Sequence, residues 1–175
     1  MLVPKPHHSA TTLTWTGNTG TGTSGYRAYR RDHELAVPGK PVLAATSDPA
    51  FRGDPARWNP EERLVASLSS CHMLWYLHLA SEAGIVLSAY TDAASGTMAE
   101  EPGGEGQFAE VVLRPVASIR ATDDGTRATA LHHAAHEQCF IPRSVNFPVR
   151  VGPRVERAWG RPGRRQRGGR SRVTS

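Results

Sequence analysis

Cys71 and Cys139 are the only cysteines of the chain and stand 68 positions apart. A thiol that ionises becomes a nucleophile, which a peroxide can oxidise to a sulfenic acid and a second thiol can close into a disulfide. Cys71 lies in Ser69-Ser70-Cys71-His72-Met73, midway along an apolar stretch, where the ordinary role of a lone cysteine is that of a small buried hydrophobe. Cys139 closes a helical run just before Phe140-Ile141-Pro142. A thiol there can move without unpicking a whole helix, which suits a sulfur that must meet another.

The histidines offer a rival chemistry. His132, His136 and Cys139 fall at i, i+4 and i+7 on one helix face, and such His/Cys sets can bind zinc or copper. No fourth ligand lies nearby and His136-Glu137 is not part of a His-Glu-x-x-His motif, so no metal is assigned. His72 and His78 are read as satisfied core or rim groups. Glycines 17, 20, 22 and 25 are followed by no lysine and by a strand-like segment, which makes them a hairpin loop rather than a phosphate cradle. Trp75 and Tyr76 are read as packing groups rather than a stacking platform for bases.

The elements that must position these groups can be traced along the chain. Thr11 to Thr16, Tyr26 to Leu35 and Pro41 to Thr46 are β-prone runs separated by Gly, Pro and Asp turns, predicting a β-meander over the first third. Asn59-Pro60-Glu61-Glu62 is a helix start: Asn59 can cap, proline suits the first helical position, and the carboxylates favour the positive end of the dipole. The helix runs toward Ala83-Gly84, and its apolar residues leave so little polar surface that it is expected to be covered on several sides. Strands are expected at Ile85 to Tyr90 and Gln107 to Ile119. A second helix, capped by Thr126, should run to about Cys139, and a last strand should span Ser144 to Val151 with Pro148 at an edge or bulge. The predicted organisation is a loose arm over 1–10, one α+β domain over 11–152 with a β-sheet packed on two helices, and a disordered Arg/Gly-rich tail over 153–175.

Charge narrows the partners. The net charge is +5, but residues 1–150 carry 13 Lys/Arg against 15 Asp/Glu, and residues 151–175 carry eight arginines against Glu156. The slightly acidic domain argues against a nucleic-acid partner. The apolar stretch Leu64 to Leu87 is broken by polar residues costly in lipid, so no membrane association is expected. The N-terminus has no apolar stretch long enough for a signal-peptide core. The two cysteines are therefore read as free or redox-active thiols in a reducing compartment, the cytoplasm, rather than as a structural disulfide.

The segment Asn59-Pro60-Glu61-Glu62-Arg63-Leu64, leading through Ala66-Ser67-Leu68-Ser69-Ser70 to Cys71, resembles the signature of the osmotically inducible protein C and organic hydroperoxide resistance (OsmC/Ohr) family. A second match is Cys139 followed by Ile141, Ser144, Val145 and a terminal strand. Together the matches span roughly residues 11–152. The resemblance implies an intertwined homodimer with a long central helix and a cofactor-free cysteine peroxidase reducing organic hydroperoxides. It makes Cys71 the peroxidatic thiol, Cys139 its resolving partner, and a dithiol such as a lipoylated protein the reductant. It also implies an arginine that keeps Cys71 ionised, mapped to Arg52 with Arg57 and Arg31 as alternatives, and a carboxylate, Glu61, that orients it. On a straight helix Glu61 and Cys71 are separated by roughly 15 Å, so Glu61 and Arg52 are expected from a second subunit. His72, Phe140 and Arg143 depart from the family pattern and bear on peroxide preference and reductant. A non-enzymatic stress-related or small-molecule-binding protein and a His/Cys metal-binding protein remain alternative readings.

Overall fold

The structure, a computed structural model, describes residues 6–158. The N-terminal third is the expected meander: β1 (Thr12–Trp15), β2 (His33–Ala36) and β3 (Leu43–Ala45) form one antiparallel sheet. The second strand is shorter than its sequence indicates. Tyr26 to Arg31 is spent on turns, where Arg31 lies between the Tyr26 and Tyr29 rings.

Helix α1 (Pro60–Glu82) begins where its capping residues dictate. The Asn59 side chain accepts from the Glu62 N–H at 2.7 Å, and Glu62 returns the bond to the Asn59 N–H at 3.0 Å, satisfying two of the donors that a helix start leaves orphaned. Its buried residues, Leu68, His72, Tyr76 and Ala80, recur every fourth position and form one stripe. Contrary to the expectation of cover on several sides, Leu74 and Leu77 on the same helix are exposed, because α2 and the sheets pack on only one face of it within a single chain.

After α1 come β4 (Leu87–Asp92), β5 (Ser95–Glu100), β6 (Gly106–Leu113) and β7 (Pro115–Arg120). The run expected as one strand over 107–119 is two, parted at Arg114. The Arg114 N–H leaves the ladder to bond the Asp92 carboxylate at 2.7 Å, and Pro115 has no N–H to donate. Helix α2 (Gly125–Gln138) is capped by Asp124, not Thr126: the Asp124 carboxylate accepts from the N–H groups of Thr126 and Arg127. Beyond it a 3₁₀ turn, Pro142–Ser144, takes up the start of the expected last strand, leaving β8 (Val149–Val151) parallel to β6.

The tail expected to be disordered from 153 begins instead with strand β9 (Arg154–Ala158), parallel to β7, with Val155 packed on the core beside Ile119. Its remainder, 159–175, lies outside the described residues, as do residues 1–5 of the expected arm. Residues 6–10 carry no regular structure. The sheets are therefore β1-β2-β3, β4-β7-β9 and β5-β6-β8. Among the described residues no helix is long and apolar enough to cross a membrane.

Candidate active site

Helix α1 carries Cys71 at its middle and α2 carries Cys139 at its end, and the fold joins the two sulfurs in a disulfide with Cα atoms 6.1 Å apart. Cys139 is the C-cap of α2. Its backbone is already extended (φ −71°, ψ 128°), so the chain turns away from the helix at the sulfur-bearing residue. Cys139 is fully buried, whereas Cys71 is only partly covered. Trp75, one helical turn from Cys71, packs its ring edge-on against Phe140, the neighbour of Cys139, at 5.9 Å between centroids.

Behind the cysteines lies a buried polar layer. His72 Nε2 and His132 Nδ1 share a hydrogen bond of 3.0 Å between the two helices, and the His132 ring stacks on Tyr76 with centroids 3.7 Å apart. Burial is the main cause that pushes His72 down to about 4 and His132 to about 3, with neighbouring imidazoles adding to it, so both rings are neutral near pH 7. Burial likewise raises the Tyr76 phenol to about 12. Ser69 Oγ donates to Asp92 Oδ2 at 2.6 Å at the edge of this layer. His72 is a core group, as expected, though its Nδ1 has no hydrogen-bond partner among the described residues, and His78 is exposed. The set His132, His136 and Cys139 does not present a metal site in this form, since His132 Nδ1 is bonded to His72 and Cys139 is in the disulfide.

The charged candidates lie elsewhere. Glu61 is in the first turn of α1, ten residues before Cys71 on one continuous helix, so the roughly 15 Å of helical rise keeps them apart within the chain. Its Oε2 is buried without a hydrogen-bond partner among the described residues. It lines an open cavity of about 1130 Å³ whose walls include Phe51, Trp58, Val65, Met73 and Phe108. Arg52 is exposed, in a left-handed conformation (φ 69°) after a short 3₁₀ turn, and its side chain makes no ion pair or hydrogen bond among the described residues. Arg57 lies 3.9 Å from Asp32 and 3.8 Å from Asp54. Arg31 is held differently. Its guanidinium stacks 4.3 Å and 4.2 Å from the Tyr26 and Tyr29 ring centres, Nη1 donates to the Tyr29 carbonyl at 2.7 Å, and Nη2 is buried with no partner among the described residues. The structure thus brings together Cys71 and Cys139, and joins neither Arg52 nor Glu61 to them.

The α+β frame thus delivers two cysteines from separate helices into one disulfide. Residues 53–153 match the family described as OsmC-like protein. Among solved structures, an OsmC-like protein of unknown function from Vibrio cholerae is 30% identical and superposes with a TM-score of 0.76, over 85% of this chain and 99% of that one. Organic hydroperoxide resistance proteins share the fold at lower identity. The one from Elizabethkingia anophelis is 17% identical with a TM-score of 0.63, covering 89% and 100% of the two chains. The one from Legionella pneumophila is 18% identical with a TM-score of 0.62, covering 87% and 99%. No curated protein matches the sequence. The chain belongs to the OsmC-like family.

Proposed function

We propose that the protein is a cysteine peroxidase that reduces organic hydroperoxides in the cytoplasm, and the observation that carries this reading is the Cys71–Cys139 disulfide. The difference in burial supports the roles proposed: the partly covered Cys71 can meet a peroxide, while the enclosed Cys139 can meet only Cys71. The Cys71 thiolate attacks the distal peroxide oxygen and the O–O bond breaks. The products are a Cys71 sulfenic acid and an alkoxide that takes up a proton and leaves as the alcohol. The Cys139 thiolate then attacks the sulfenic sulfur, the S–O bond breaks, water leaves, and the disulfide remains. A dithiol, such as the lipoyl group of a lipoylated protein, returns both cysteines to thiols by exchange and is itself oxidised to a disulfide.

An unperturbed thiol of pKa about 8.5 is mostly protonated at neutrality, so a cation must face Cys71. Of the three arginines that qualify by sequence, Arg31 is the best supported. Its guanidinium is part-buried and pre-oriented, with one buried nitrogen unpartnered among the described residues, whereas Arg52 is exposed and Arg57 lies between two carboxylates. Glu61 has the complementary deficit, a buried carboxylate oxygen with no donor. A buried guanidinium nitrogen and a buried carboxylate oxygen each left unsatisfied are costly. A homodimer that brings Arg31 and Glu61 of one subunit together beside Cys71 of the other would satisfy both and cover the exposed face of α1.

The test is peroxide consumption by the reduced protein. Cys71→Ser should abolish it, while Cys139→Ser should allow one turnover and stop at the sulfenic acid. Mixing Cys71→Ser chains with Arg31→Ala chains should regain activity that neither has alone, and no recovery after subunit exchange counts against sites shared between subunits. The open apolar cavity beside Glu61 favours a second reading, a small-molecule-binding protein, which would follow if peroxides leave both thiols unchanged.

A further inference from the structure

Helices α1 and α2 meet mainly through small or apolar side chains, with Ala80 and Ala128 in one cluster and Tyr76 and Ala135 in another. Contacts of this kind are weakly directional, and two helices can slide or rotate on them at little cost. The exception is the hydrogen bond between His72 and His132, two residues of opposite helices that are fully enclosed (0% and 1% exposed). His72 Nδ1 and His132 Nε2 have no partner among the described residues, so this one bond is all the hydrogen bonding either buried ring has, and losing it would leave both wholly unsatisfied; it therefore fixes both the rotation and the register of α2 on α1.

The places of these histidines in the chain give the bond a consequence. His72 is the residue after Cys71, and His132 lies seven residues, two helical turns, before Cys139 on the same face of α2. We propose that the His72–His132 hydrogen bond is a latch that holds α2 against α1, keeping Cys139 within bonding reach of Cys71 after the disulfide has been reduced. His72 and His132 are positioning residues: they raise the effective concentration of Cys139 at Cys71 and so speed closure of the disulfide and stabilise it once formed. The rate part of this inference rests on the peroxidase reading, and the equilibrium part does not.

Which ring donates follows from the two tautomers, which ¹⁵N-resolved NMR of the imidazoles reads. His132 also lines a small cavity of about 280 Å³ with Thr129, His133 and His136.

Glutathione redox titration of the Cys71–Cys139 pair, followed by thiol labelling, tests the latch without any peroxide. The key variant is the double substitution His72→Leu with His132→Leu, which removes both polar groups and strands neither, so the fold is retained. Its disulfide equilibrium constant should fall about tenfold, a midpoint about 30 mV less negative. In rapid mixing with hydroperoxide, its first step at Cys71 should proceed at the wild-type rate and its disulfide closure should slow by about the same factor, if closure follows effective concentration. His132→Asn, whose amide keeps a group near the Nδ1 position that can donate or accept, should recover most of the equilibrium. The latch is overturned if the folded double variant keeps the wild-type midpoint, or if His132→Asn is as impaired as His132→Leu. Should wild-type thiols ignore peroxide altogether, the peroxidase reading fails while the glutathione titration still decides the latch.

Discussion

Reduction of the Cys71–Cys139 bond should loosen the protein by an amount that the chain itself sets. The bond closes a loop of 68 residues. In the chain-entropy account a crosslink of that span removes enough freedom from the unfolded chain to stabilise the native state by about 4 kcal/mol at 25 °C. With a urea dependence of about 2 kcal/mol per molar, the unfolding midpoint of the oxidised protein should lie about 2 M above that of the reduced protein. The reduced protein should still fold, because the clusters around Leu68, Tyr76 and Ile119 and the capping box of α1 do not depend on the sulfurs. The assay is urea unfolding of protein prepared fully oxidised and fully reduced, with Cys71→Ser and Cys139→Ser as controls that should ignore the reductant. Coincident midpoints for the two redox forms would refute the reasoning, since a crosslink between α1 and α2 cannot leave the unfolded ensemble unchanged.

Other consequences are more local. Asn59→Ala removes the capping box at the start of α1 and should destabilise the fold by about 1 kcal/mol in the same urea assay, with Asn59→Ser recovering most of it. Because burial holds His72 and His132 below the ordinary histidine value of 6.5, the unfolded chain takes up protons that the folded one refuses. Their contribution is complete above pH 6.5 and lost as pH falls from there toward about 4. His136 adds to the repulsion at His72 and Asp92 opposes it. The stability measured at pH 5 should be about 2–4 kcal/mol below that at pH 8, and the paired leucine variant should show a flatter profile. Gly17 is buried where a Cβ would overlap the Arg30 carbonyl oxygen and crowd the Trp15 indole. Gly17→Ala should therefore displace the segment carrying Arg31 and slow peroxide consumption several-fold, while glutathione still closes the disulfide; unchanged consumption would count against Arg31.

What could be read in the sequence was what is local. Asn59, Pro60 and Glu62 lie within four residues of one another, so the start of α1 was visible in its own chemistry, as was the stop of α2 before Pro142. Strand β5 was not, because Ser95–Glu100 is exposed throughout and shows no alternation of apolar and polar residues, its strand character coming only from pairing with β6. Strand β9 was hidden for a related reason: in Arg154-Val155-Glu156-Arg157 a single apolar residue reaches the core. The two thiols were picked out by residue type and by resemblance, yet nothing along the chain says that residues 60 apart, His72 and His132, would pair beneath them. The face bearing His132, His136 and Cys139 was legible as a face. That it turns toward another helix, rather than toward a metal, is decided by tertiary packing. Arg31 shows the same limit, since only the fold closes Tyr26 and Tyr29 over it.

The account stands most directly on which bond a peroxide makes. Fully reduced protein should be exposed separately to cumene hydroperoxide and to hydrogen peroxide, quenched with a thiol-blocking reagent, and its peptides mapped by mass spectrometry. The organic peroxide should yield one disulfide joining Cys71 to Cys139 at stoichiometric dose, with Cys71 recovered as a sulfenic acid in Cys139→Ser. Two thiols that stay fully blocked by the reagent after treatment would contradict it.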